Sequence, residues 1–325
     1  QQWPFKFTLM QQTMSEKSLT NMGTFLGTLI MSCMMYTIKV KILKMVNYNT
    51  WFNKDNSQVT NVHSSTVGTS EAMRLLNKKF MHTLNNSTSD QKFKQWLAGT
   101  MDGDGCFTLS KKGYAALEIT MDIRDERALQ SVKNIYGGSI KLRSNCNALR
   151  YRLHHKIGLL NLIRDVNGEI RNPNRLVQLN KICLKYNIIL IWPKPLSYDN
   201  NWFSGFFDAD GTITINASNN NYQTSISVSQ KTTELLTPLI NLYGGYVYMD
   251  RGTHQSFKWY ITKREDILKL IQYFKNNPAR SLKNNRLHLI PKYYELKDMK
   301  AHISSYDSLL FKSWNMFLDN WKKYK

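Results

Sequence analysis

Cysteine is scarce and scattered: Cys33, Cys106, Cys146 and Cys183 form no CxxC pair and have no histidine at ligand spacing. That excludes a disulfide framework and a zinc finger, and fits a reducing compartment. Acidic residues are also few, with 23 Asp and Glu against 44 Lys and Arg, a formal net charge of +21. An excess of that size reports on partners and points to a polyanion such as nucleic acid. It is not a basic tail, because residues 1–90 hold nine of the basic residues and four of the acidic ones. Long apolar runs are nearly absent. The exception is residues 22–38, which carry no charge and precede Lys39, Lys41 and Lys44. A stretch of 17 residues is the short limit for a bilayer crossing, so any membrane association would come through this extension alone.

What is present is a 42% hydrophobic content over 325 residues, enough for one or two packed cores. Residues 50–90 are rich in Ser, Thr and Asn and read as a linker. The chain begins at Gln1, which suggests a piece released from a longer translation product.

The second half repeats the first at an offset of about 106 residues. WLAGTMDGDGCF (96–107) matches WFSGFFDADGTI (202–213), NIYGGSIKLR (134–143) matches NLYGGYVYMDR (241–251), and RYRLHHKIGLLNLI (150–163) matches KWYITKREDILKLI (258–271). Within a copy, Phe93, Trp96, Leu97 and Met101 have helical period ahead of the acidic motif. Alternating segments at 106–110 and 114–121 flank a Lys-Lys-Gly turn, as in a hairpin. A helix over 126–136 ends at Gly137, two short strands follow at 139–143 and 149–153, and a helix spans 156–166. The reading is α+β, two pseudo-symmetric αββαββα repeats. Residues 1–90 form an extension and linker, 91–190 the first repeat with a connecting helix over 174–186, and 191–325 the second repeat with C-terminal helices. Asn219 to Asn221 would turn the second hairpin.

Side chains alternate across a strand, so polar residues at period two mark one face of a sheet. Lys141 and Arg143 share one face, as do Arg150 and Arg152. In the second copy Gln223, Ser225, Ser227 and Ser229 alternate with apolar partners, Lys258 stands where the first copy has Arg150, and Arg251 closes its strand. These are candidate contacts to double-stranded DNA, whose major groove admits a two-stranded ribbon and presents distinct base edges. Trp96 and Trp202 take the same place in both copies and read as core anchors rather than base-stacking residues. The His154–His155 doublet receives no chemical role. Tyr293 and Tyr294 fit either a buried helix face or a nucleic-acid contact.

Each copy ends its first helix with D-x-D-G, Asp102 to Gly105 and Asp208 to Gly211. Helix C-termini carry partial negative charge, so acids there are disfavoured by a few tenths to about 1 kcal/mol each unless a cation compensates. A divalent metal would supply that compensation. Ala98 and Gly99, with Ser204 and Gly205, leave room for two helix backbones to approach, which brings Asp104 and Asp210 together. Hard oxygen ligands suit Mg²⁺, which can activate water against a phosphodiester. The expected metal site comprises Asp104 and Asp210 with Gly103 and Ala209 beside them.

LAGTMDGDG (97–105) and FSGFFDADG (203–211) resemble the paired signature of LAGLIDADG homing endonucleases and intron maturases, departing chiefly at Thr100, Gly103, Phe203 and Ser204. The resemblance covers roughly residues 91–300. It implies a monomer with an internal pseudo-twofold, signature helices at the repeat interface and saddle-shaped antiparallel sheets along a long asymmetric DNA site. It also implies divalent metal on the last acid of each signature, Asp104 and Asp210, and cleavage across the minor groove to leave short 3′ overhangs. A basic residue near each centre is implied too, for which Lys156 and Lys263 are the candidates, although they do not align with each other. A reading frame fused to an upstream membrane-protein exon, and an Asn- and Met-rich composition, suit a mitochondrial protein. Three activities share this scaffold: a site-specific endonuclease that starts intron mobility, a maturase that folds its group I intron RNA without cutting DNA, and a repressor. Intact Asp104 and Asp210 favour the first.

Overall fold

The computed structural model describes residues 88–218, 221–250 and 255–324, all within one compact unit. The apolar segment 22–38, Arg251 and the turn residues Asn219 and Asn220 lie outside the described residues. No helix among the described residues is long and apolar enough to cross a membrane.

The first copy consists of α1 (residues 88–104), β1 (Gly105–Leu109), β2 (Ala115–Asp122), α2 (Glu126–Tyr136), β3 (Ser139–Leu142), β4 (Ala148–Leu153) and α3 (Lys156–Val166). Helix α4 (Pro173–Lys185) leads to the second copy, which consists of α5 (Trp202–Asp210), β5 (Gly211–Ser218), β6 (Asn221–Gln230), α6 (Thr237–Tyr243), β7 (Tyr246–Asp250), β8 (Ser256–Ile261) and α7 (Arg264–Asn276). Helices α8 (Lys283–Asp298) and α9 (Leu309–Lys323) complete the described chain. The αββαββα order expected from periodicity is present twice. The two antiparallel sheets have the same topology, β1-β2-β4-β3 and β5-β6-β8-β7.

Local chemistry explains the boundaries. The Tyr-Gly-Gly landmark ends α2 and α6 because both glycines of each pair hold positive φ, +77° and +90° at Gly137 and Gly138, +78° and +79° at Gly244 and Gly245. An added Cβ at Gly138 would also meet Arg152 O at 2.6 Å, and at Gly245 Tyr260 O at 2.5 Å. The pair thus turns the helix into a strand that lies tight on its neighbour. Helix α4 starts where Pro173 supplies the first helical φ and the Asn172 side chain accepts from Asn174 N.

Each sheet buries one face. Leu117, Ile119, Tyr151 and Leu153 pack with Leu129, Leu159 and Ile163 in the first core, and Ile226, Val228, Trp259 and Ile261 with Leu239, Ile267 and Phe274 in the second. Burying such a side chain stabilises by about 1.5–3 kcal/mol, and both copies' buried faces join one continuous core. Tyr293 and Tyr294 belong to that interior: both are buried, and Tyr293 Oη donates to Tyr222 O at 2.7 Å.

Candidate active site and nucleic-acid face

Helices α1 and α5 meet main chain to main chain. A Cβ at Gly99 would fall 1.9 Å from Trp202 O, and one at Gly205 would fall 1.8 Å from Trp96 O. No residue but glycine fits either place. The contact is fastened at its ends by a reciprocal pair of hydrogen bonds: Trp96 Nε1 donates to Asp208 Oδ2 at 2.7 Å, and Trp202 Nε1 to Asp102 Oδ2 at 2.8 Å. Both tryptophans are buried, as core anchors would be, but the bond each sends across the interface was not anticipated. The signal was available, because indole is a pure donor and a buried one needs an acceptor.

Asp102 and Asp208, the first acids of the two motifs, are buried brackets. Asp102 also accepts from Arg171 N at 2.7 Å, and Asp208 from Arg280 N at 2.7 Å, from Ser281 N at 3.1 Å and from the Ser281 hydroxyl. Burial pushes the Asp102 carboxyl up to about 7 against those hydrogen bonds, and raises Asp208 likewise.

The second acids stand where the two helix ends touch. A Cβ at Gly103 would come 2.3 Å from Ala209 Cβ and 2.8 Å from Asp210 Oδ2. Asp104 keeps a solvent-exposed edge, yet desolvation by the surrounding protein and then the charge of Asp210 push its carboxyl up to about 6. Burial raises Asp210 as well, opposed by Lys283, by a 2.6 Å hydrogen bond from Gln230 Nε2 and by Arg175. An open groove of about 660 Å³, lined by Gly103, Arg175, Asp210, Gln230 and Lys231 among others, gives access.

Part of the compensating positive charge expected at these helix ends comes from the chain itself. Lys283 Nζ donates to the carbonyls of Phe207 (3.2 Å), Asp208 (2.7 Å) and Ala209 (3.0 Å), capping α5. Arg175 reaches Met101 O at 3.3 Å and Gly103 O at 3.4 Å, capping α1. These are the cations whose charge acts on both carboxylates, and the sequence reading missed them. Lys156 and Lys263 are not among the groups acting on either acid. Lys156 is exposed at the start of α3, 5.6 Å from the Tyr186 ring centroid, and Lys263 is the exposed N-cap of α7. Among the described residues no three His, Cys, Asp or Glu converge on one point. Two carboxylates that repel each other in a desolvated place nevertheless suit a hard divalent cation, with water or phosphate oxygens completing its shell.

The outer face of the first sheet is cationic and pre-ordered. Lys141 pairs with Arg150 across β3 and β4, and Ser139 with Arg152. Glu118 on β2, overlooked in the sequence, accepts from Arg152 and stands 3.6 Å from Arg150. Lys141, Arg143, Arg150 and Arg152 together line an open depression of about 470 Å³. In the second sheet Gln223 is exposed and Lys258 half-buried. Ser225 and Ser227 are corrected as base contacts, being only 3% and 4% exposed. Their short side chains sit in the floor of the face. Ser225 Oγ bonds Thr214 Oγ1 at 2.7 Å, and Ser227 lies between Thr212 and the larger Tyr260 in the register.

A family model described as LAGLIDADG endonuclease matches residues 97–167 and 203–294, each match starting just after one of the bracketing tryptophans. The chain belongs to the LAGLIDADG endonuclease family. Its relatives include the intron-encoded DNA endonuclease ai2b of Dictyostelium discoideum, 38% identical over 70% of this chain and 88% of that protein. They also include the intron-encoded RNA maturase bI4 of Saccharomyces cerevisiae, 39% identical over 83% of this chain but 48% of that protein. A probable intron-encoded endonuclease, aI2, of Debaryomyces hansenii is 38% identical over 74% of this chain and 39% of its own length. The chain thus spans half or less of the last two. Among solved structures, the LAGLIDADG meganuclease I-CpaMI bound to uncleaved DNA matches with a TM-score of 0.54 at 16% identity, covering 70% of this chain and 97% of that one. The meganuclease I-SmaMI bound to uncleavable DNA matches with a TM-score of 0.52 at 18% identity, covering the same shares. At such identities the likeness is one of fold: a LAGLIDADG fold with two-domain pseudo-symmetry.

Proposed function

We propose that the protein is a site-specific double-strand DNA endonuclease of the intron-homing kind, using Mg²⁺ held by Asp104 and Asp210. One observation carries the reading: α1 and α5 bring two mutually repelling carboxylates together at their touching ends, each raised by desolvation. Main-chain oxygens of Gly103 and Ala209 lie beside them. Each already accepts one hydrogen bond, from Arg175 and Lys283, leaving one lone pair. The metal supplies an activated water and relief of charge on the leaving oxygen. Arg175 and Lys283 hold the helix ends in place, Gln230 orients the Asp210 carboxylate, and Lys141, Arg143, Arg150, Arg152, Gln223 and Lys258 grip the duplex. Arg251 joins them in this proposal as a basic residue at the end of its strand. Lys156 and Lys263 are proposed as backbone-phosphate contacts at helix starts rather than as groups at the reacting atoms.

In the same proposal the active protein is a mitochondrial monomer, with repeats at 91–190 and 191–325 preceded by a linker. Similarity to an RNA maturase supports a second activity on the host intron RNA.

The test uses the full chain with DNA spanning the intron-insertion junction, with Mg²⁺ or with EDTA. Cleavage is expected only with metal, and Asp104→Asn or Asp210→Asn should abolish it while duplex affinity stays within about tenfold, about 1.4 kcal/mol. No cut at the junction, with the intron RNA tightly bound and spliced faster, would leave the maturase reading alone.

A further inference from the structure

The two sheets share one topology but present different faces. In register, Ser139, Lys141 and Arg152 of the first sheet correspond to Tyr246, Tyr248 and Tyr260 of the second, while Arg150 corresponds to Lys258. A cationic surface on one side has become an aromatic one on the other. The rings form a single group, with centroids 5.8 Å apart for Tyr246 and Tyr260, 6.1 Å for Tyr246 and Tyr248, and 6.2 Å for Tyr248 and Tyr260. Tyr246 is 52% exposed and Tyr248 38%, so neither is consumed by the core.

Aromatic faces have little to read in a duplex, where bases stack on one another and offer only their edges to the groove. They stack instead on bases that are unpaired. Ring spacings near 6 Å exceed the roughly 3.4 Å rise of a stacked strand. The rings also stand at 40°, 67° and 85° to one another, so bases seated on different rings would be splayed apart and not stacked on each other, as in an extended single strand. Lys258, directly across from Tyr248, places a cation beside the rings for the backbone.

We propose that Tyr246, Tyr248 and Tyr260 form a stacking platform for unpaired nucleobases of a single strand, RNA in the first instance. The proposal rests on the RNA-binding reading above and does not involve the carboxylate site. Its test measures the affinity of the full chain for labelled oligoadenylate RNA, for its DNA counterpart and for a junction duplex, by fluorescence anisotropy. In Tyr246→Leu/Tyr248→Leu, which keeps residues suited to a strand, RNA affinity should fall by about tenfold or more, with duplex affinity unchanged. The salt dependence of RNA binding should not change, because stacking neutralises no phosphate. Tyr246→Phe/Tyr248→Phe should restore binding, and circular dichroism should show the same fold in all variants. A Leu pair that binds RNA like the parent, or that loses RNA and duplex equally, overturns the platform while leaving the RNA-binding reading intact. A parent chain that binds no RNA overturns both. If the Leu pair weakens RNA and DNA oligomers alike, the platform stands for single strands in general; if it weakens RNA alone, the strand is RNA.

Discussion

Gly205→Ala tests the helix contact on which the carboxylate site depends. The added methyl would lie 1.8 Å from Trp96 O, against an ordinary contact that begins near 3.4 Å. A close-packed interface has no slack to absorb this, so α1 and α5 must part by about 1.5 Å. Overpacking of that kind costs about 1–3 kcal/mol. Parting also stretches the two Trp–Asp bonds of 2.7 and 2.8 Å, and hydrogen bonds to charged groups are worth about 1.5–3 kcal/mol each. The total loss should exceed about 3 kcal/mol, lowering the melting temperature by about 4 °C or more for a chain of 325 residues. Single-turnover cleavage of junction DNA should fall by about 10²-fold, since a misplacement near 1 Å is enough for that. Calorimetry and a quenched cleavage assay read both quantities. Gly99→Ala, with its methyl 1.9 Å from Trp202 O, demands the same movement, so the double variant should lose less than the sum of the two. A Gly205→Ala protein that melts and cuts like its parent would refute the main-chain contact.

Three further outcomes follow from the same geometry. Trp96→Phe keeps an aromatic ring but removes the donor to buried Asp208, and should lower the urea midpoint by an equivalent of about 1.5–3 kcal/mol with an unchanged slope; a loss below about 0.5 kcal/mol would deny the bracket its role. The Asp104 carboxyl, raised to about 6, takes up its proton as pH falls through that value, and in the proposed site it would then lose its hold on metal. Cleavage at fixed Mg²⁺ should be level above about pH 7 and drop about tenfold per unit below 6, with more Mg²⁺ moving the midpoint lower; a rate level down to pH 5 contradicts this. Glu118→Gln releases Arg150 and Arg152 from their carboxylate, so duplex binding should tighten at low salt and its log–log salt slope steepen by about one unit; an unchanged slope between about 50 and 200 mM salt counts against phosphate contact by these arginines.

Features encoded over short distances were readable in the sequence. The period of Phe93, Trp96, Leu97 and Met101 announces a helix, and the glycines at 137, 138, 244 and 245 announce its end, because propensity and positive φ are local properties. Duplication then allowed each element to be checked against its copy. What could not be read depends on residues far apart in sequence. Lys283 caps a helix that ends 73 residues before it, and among the described residues no lysine does the same for α1. Arg175 does that work instead, so symmetry itself misleads here. Glu118 is in sequence one polar residue on a strand, and only the β2–β4 register sets it opposite Arg152. Ser225 and Ser227 follow the right alternation, but burial on a curved face is decided by the size of neighbours on other strands, Thr214 and Tyr260 among them. Alternation gives direction and says nothing of depth.

Because α1 and α5 touch through glycine main chain, the distance between the two acids is set by atoms that every amino acid shares. Target preference, by contrast, would be written in side chains on the sheet faces, outside that contact. The two properties are therefore free to change separately: a lineage can rewrite what the protein grips, one face residue at a time, without disturbing where it cuts. The same arrangement makes the helix contact intolerant of drift, since no second substitution can make room for a methyl group pressed against a carbonyl oxygen.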